Sequence, residues 1–88
     1  MTRSIWKHVL LEYTLEVAAV DPVVRFVGAD PATGCPAVWI EQTVGTLAAP
    51  EEHWRLIAIA TGERIKDNEQ YIGTAVTGST VWHIHKVN

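Results

Sequence analysis

The chain has 88 residues, 48% hydrophobic and 19% charged, with a formal charge of −3 from 10 acidic and 7 basic side chains. That length holds one domain with a modest core, and the composition is globular rather than disordered. The cations are scattered, which argues against gripping a nucleic-acid backbone. The single cysteine, Cys35, excludes an intrachain disulfide and a multi-cysteine zinc site.

No apolar run reaches membrane-spanning length, and no signal-peptide core follows the opening Met-Thr-Arg-Ser-Ile-Trp-Lys. The expected setting is a reducing cytoplasm, with neither membrane nor nucleic acid as partner. Residues 5–14 (IWKHVLLEYT) read as a first strand. Ile5, Lys7, Val9, Leu11 and Tyr13 share one side, and Trp6, His8, Leu10 and Glu12 the other. Neither side is cleanly polar, so the strand is expected to be covered on both. Residues 15–17 continue extended after a bend. Val20-Asp21-Pro22 then interrupts the chain, because Pro22 lacks an N–H and restricts Asp21.

Residues 23–28 (VVRFVG) predict a second strand, with Val24 and Phe26 inward and Val23, Arg25 and Val27 opposite. The run Ala-Asp-Pro-Ala-Thr-Gly that follows is a turn by composition, which places Cys35 near a loop tip. Pro36 suits a strand start, and residues 37–44 (AVWIEQTV) pair back as a hairpin. Residues 45–52 form a loop. Residues 53–61 (HWRLIAIAT) are ambiguous: the preceding Pro-Glu-Glu and the following Gly62 imitate helix signals, whereas alternation and β-branched content favour a strand. Residues 62–69 make a charged connection that Ile65 pins to the body.

Residues 71–87 (YIGTAVTGSTVWHIHKV) predict a closing hairpin about a Gly78-Ser79 type II′ turn. Counting outward, Thr77 faces Thr80, Val76 faces Val81, Ala75 faces Trp82, Thr74 faces His83, Gly73 faces Ile84, Ile72 faces His85 and Tyr71 faces Lys86. Tyr71, Gly73, Ala75, Trp82 and Ile84 share the core side. Ile72, Thr74, Val76, Val81, His83, His85 and Val87 share the other. The whole chain, 1–88, thus reads as one all-β domain: a small antiparallel β-sandwich or partly open barrel of five to six strands. Its four Trp are expected as large anchors, one per strand, and so much apolar surface favours self-association.

Four landmarks stand in order: Ile5-Trp6-Lys7, Pro36-Ala37-Val38-Trp39, Tyr71-Ile72-Gly73-Thr74 and Val81-Trp82-His83-Ile84. Their order resembles a family of small phage and prophage proteins that open with Ile-Trp-Lys and close with Tyr-Ile-Gly-Thr, a short turn and a Trp-His pair. The resemblance implies a phage accessory protein expressed in a bacterial host. It carries no activity and no catalytic residue across.

Few residues offer chemistry. His83 and His85, at i and i+2, point one way from a strand, which two metal ligands require; no third ligand is placed by spacing, and His53 is only a nominal candidate. Hydrogen bonds from threonine or water account for such a pair more simply and are the favoured reading, and a pH-sensitive contact lies between the two. Cys35 has no local base to activate it. The glycines form no phosphate-binding loop, and no nucleophile elbow is present. Glu51-Glu52 and Asp67-Asn68-Glu69 read as solvated loops. No catalytic residue, metal site or cofactor is therefore expected. The expected function is non-enzymatic: protein binding or self-assembly, with itself as a homo-oligomer or with a host protein, through Ile72, Val76, Val81, His83 and His85. The alternative is a protein that sequesters a small molecule, such as a signalling nucleotide, or binds a metal, through the His83/His85 face.

Overall fold

A computed structural model describes residues 2–45, 50–66 and 68–87. They form six strands and no helix: β1 (Thr2–Val9), β2 (Thr14–Ala29), β3 (Pro36–Val44), β4 (Glu52–Ala60), β5 (Glu69–Thr77) and β6 (Thr80–Val87). All pairings are antiparallel, in one sheet of order β1-β3-β2-β4-β6-β5 that does not close into a barrel. The all-β expectation holds, and residues 53–60 of the ambiguous stretch belong to a strand, with Thr61 in the turn after it. β4 lies between β2 and β6, where its backbone is paired on both sides and Leu56 drops fully into the core. The expected 45–52 loop lies in part, 46–49, outside the described residues, as does Asp67 of the expected acidic run.

β2 is the strand that shapes the molecule. It runs for 16 residues, and its first part pairs with β4 while its second pairs with β3. The changeover is at Val20-Asp21-Pro22, where the sequence predicts a break. The strand continues instead through a bulge: the register shifts between Val20 and Val23, and Asp21 takes a left-handed φ of 49°. Pro22 offers no N–H to a ladder, so an irregular step there sacrifices little pairing. The bend folds the β1–β3 side of the sheet over β4–β6–β5. Between the two halves lie Leu10, Val17, Ala19, Val38, Ile40, Leu56 and Ile84. Burying a side chain of the Leu or Ile kind contributes about 1.5–3 kcal/mol, so this cluster is the main apolar term in the fold.

The first strand is shorter than its pattern predicts. β1 ends at Val9, and the chain turns through 10–13, where Tyr13 N–H donates to Leu10 O at 3.1 Å. Tyr13 itself is left-handed, at φ 63°. That conformation costs about 1–2 kcal/mol, and two contacts offset it. The Tyr13 carbonyl accepts from Ala58 N at 2.8 Å, and its ring stacks on Trp82 with centroids 4.4 Å apart. β1 is not covered on both sides: it pairs only with β3 and is largely exposed. Of the four Trp, only Trp54 and Trp82 pack against the core cluster, and both are half-buried. None is fully buried, and Trp6 is 54% exposed, because small and aliphatic residues fill the gap between the halves.

Candidate interaction surface

The closing hairpin forms as expected around its turn. Thr77 pairs with Thr80, and Gly78 has φ 59° while Ser79 is not left-handed, as a II′ turn requires. The register Val76–Val81, Ala75–Trp82, Thr74–His83 and Gly73–Ile84 is also as predicted. Beyond Gly73 it changes. The ladder slips between Tyr71 and Gly73, so Tyr71, not Ile72, pairs with His85. One extra residue exchanges sides. Ile72 turns in and packs on the core, and Tyr71 turns out beside the histidines.

The histidines sit on the outer side of β4–β6–β5, opposite Ile59 and Ile57. His83 is held on both nitrogens. Its Nε2 meets Thr61 Oγ1 at 3.0 Å, and its Nδ1 meets Thr74 Oγ1 at 3.2 Å. Either tautomer is satisfied, because a hydroxyl donates or accepts. Thr74 Oγ1 also contacts Tyr71 Oη, so a chain of hydrogen bonds crosses β5 and β6. His85 is only 3% exposed, and its ring meets the Tyr71 ring edge-on at 5.6 Å. Its Nδ1 is buried with no partner among the described residues. The start of the β4–β5 connection folds over this side. Together with Ile59, Tyr71 and the two imidazoles, Thr61, Glu63 and Ile65 enclose a shallow hollow of about 340 Å³. The pinning role predicted for Ile65 is thus only partial, since it lines the hollow and remains 56% exposed.

Of the five residues expected to form a contact face, Val76 is 60% exposed, Val81 and His83 are half-buried, and Ile72 and His85 point into packed surroundings. His53 lines a separate hollow of about 460 Å³ with Trp54 and Arg55, away from the other two imidazoles. Among the described residues, no three His, Cys, Asp or Glu side chains group to hold a metal. Cys35 is half-buried, with Sγ 3.8 Å from Thr33 O.

A second surface was not foreseen. The register also slips between Val24 and Phe26, so Val24 and Val27 pack on the core and Phe26 turns outward, against the expectation that Val24 and Phe26 share the inner side. Phe26 is 60% exposed and meets Trp39 edge-on at 5.2 Å. Beside this pair, Ile5 and Val23 both lie opposite Glu41. Arg3 and Arg25 both bond the Glu41 carboxylate, the latter at 3.0 Å, and hold it well below the usual carboxylate range. At the next row Lys7 Nζ reaches Asp30 Oδ1 at 2.7 Å, and Thr33 Oγ1 donates to Asp30 Oδ2, also at 2.7 Å. Ile5, Lys7 and Trp39 alternate visibly in the sequence; the missing signal was the bulge that brings Phe26 to them.

The whole chain, residues 1–88, matches a family model described as a domain of unknown function, DUF7352. It belongs to that family. Neither a curated protein nor a solved structure matches it. No helix among the described residues is long and apolar enough to cross a membrane.

Proposed function

We propose that this DUF7352 protein is a non-enzymatic accessory protein of the phage type its motifs resemble. It acts in the bacterial cytoplasm by binding protein surface, first of all a second copy of itself. One observation carries the reading: polar side chains beside the open patches are tied to neighbouring groups, while large apolar side chains are left exposed. Glu41 is held between Arg3 and Arg25, Asp30 between Lys7 and Thr33, and His83 between two threonines. Ile5, Phe26, Tyr71 and Val76 meanwhile stand 56–60% exposed. Exposed aromatic residues with arginine nearby are the composition of energetic centres in protein interfaces. Burying them stabilises a complex without needing a polar partner for each.

The test is light scattering after size exclusion across a micromolar concentration series, with wild type beside Phe26→Glu and Val76→Glu. Association that either charge weakens supports the reading. A wild-type monomer at every concentration that also retains no host protein counts against it.

A second reading rests on the hollow over His83 and His85. At about 340 Å³ it matches the lower range of small-ligand sites, and it mixes apolar walls with hydroxyl and imidazole groups. Native mass spectrometry of protein purified from host cells separates the two readings: a retained nucleotide or other small molecule favours sequestration, and bare oligomeric protein favours assembly.

A further inference from the structure

The two edges of the sheet are built differently. At one edge, β5 is blunted: its ladder with β6 slips at Ile72, and Gly73 is pressed onto Val27 of β2. At the other, β1 pairs with β3 through all 8 of its residues with no slip, and no described strand lies on its far side. Sheet edges are kept from pairing by bulges, prolines or charges aimed at an incoming strand. β1 has no bulge and no proline. Its two cations are drawn back across the sheet, Arg3 to Glu41 and Lys7 to Asp30. What it presents is a regular, unprotected edge, with Ile5 56% and Trp6 54% exposed.

The hydrogen-bond phase of that edge follows from one contact. Leu10 N–H donates to Pro36 O at 2.8 Å, continuing the register in which Val9 faces Ala37. Bonding alternates along an antiparallel ladder, so the backbone groups of Ser4, Trp6 and His8 point at β3. Those of Arg3, Ile5, Lys7 and Val9 point at the open edge. An incoming strand must match these four with its own outward groups, and like charges must not face each other.

For a second β1 running antiparallel, the longest register that meets both conditions is centred on Trp6. Ile5 then faces the partner's Lys7, Arg3 faces the partner's Val9, and the two Trp6 rings meet. Centring on Ile5 sets Arg3 against Lys7, and centring on Lys7 sets two ammonium groups together. Centres nearer either end pair only a few residues. At the Trp6 centre the facing residues form a non-hydrogen-bonded pair, the closest side-chain approach in such a ladder, which suits two half-exposed indoles. We propose that two copies join edge to edge through β1, antiparallel, with Trp6 of each chain at the twofold axis. This inference rests on the self-association reading above and gives it a contact at the β1 edge, to which Ile5 belongs and which lies apart from Tyr71 and Val76 on β5.

Disulfide trapping and light scattering test it together. On a Cys35→Ser background, Trp6→Cys is expected to cross-link to a dimer under mild oxidation, and Ile5→Cys is not, because Ile5 faces a different residue. Ile5→Pro removes an N–H aimed at the open edge while sparing the ladder to β3, so its mass is expected to fall to that of one chain with an unchanged circular dichroism spectrum. If that variant fails to fold, the trapping pair decides. A wild-type dimer that Ile5→Pro leaves intact and Trp6→Cys does not trap overturns the edge contact and leaves self-association standing. A monomeric wild type overturns both.

Discussion

Gly73 of β5 rests against Val27 of β2 with no room for a side chain: a Cβ built on Gly73 stands 2.7 Å from Val27 Cβ and closer still to Cγ2. No ladder joins these two strands. The sheet closes onto itself here by packing alone, and the absent methyl sets how near its halves approach.

Gly73→Ala is therefore expected to destabilise by about 1–3 kcal/mol, the usual cost of overfilling a packed site. Val27→Ala in the same chain is expected to recover part of the loss, so the double mutant is less destabilised than the sum of the singles. Urea unfolding of the four proteins measures the coupling.

Core and surface apolar residues are expected to separate cleanly. Leu56 and Ile84 are fully buried, so Leu56→Ala or Ile84→Ala is expected to cost about 2–5 kcal/mol. Val76→Thr, at a position 60% exposed, is expected to stay within about 0.5 kcal/mol. The same unfolding curves check both, at a concentration low enough to keep any oligomer dissociated.

Stability is expected to fall with falling pH, in two steps. Burial holds the His8 imidazole below its ordinary 6.5, so the unfolded chain takes up that proton first. Its contribution is fully present above pH 6.5 and is lost as the pH drops through the lower, folded value. Asp30 is depressed by the hydrogen bond from Lys7 and then that from Thr33, and Glu41 by Arg3 and then Arg25. Both carboxylates contribute above about pH 4 and lose that contribution below it. A denaturation midpoint measured against pH, for wild type and His8→Val, checks the assignment: the variant is expected to lose the upper step and keep the lower one.

The closing turn gives a local test. Gly78 has φ 59°, a conformation that a Cβ disfavours, so Gly78→Ala is expected to cost about 1 kcal/mol or slightly more. Ser79→Gly is expected to change little beyond backbone entropy. Thermal melts of the two variants compare them directly.

Strand identity was written locally. Alternation along 53–60, the Gly78-Ser79 turn and the shared side of His83 and His85 are period-two properties of a short stretch, and each is found in the fold. What the tertiary structure decided is where that period slips. Bulges at Val20/Val23, Val24/Phe26 and Tyr71/Gly73 each change which side the next residue takes. They send Phe26 and Tyr71 out and draw Ile72 in. A bulge is a one-residue adjustment that lets distant strands pack, so its place depends on neighbours far along the chain. The order β1-β3-β2 is equally non-local: it leaves β1 at an open edge, which alternation within that strand does not encode.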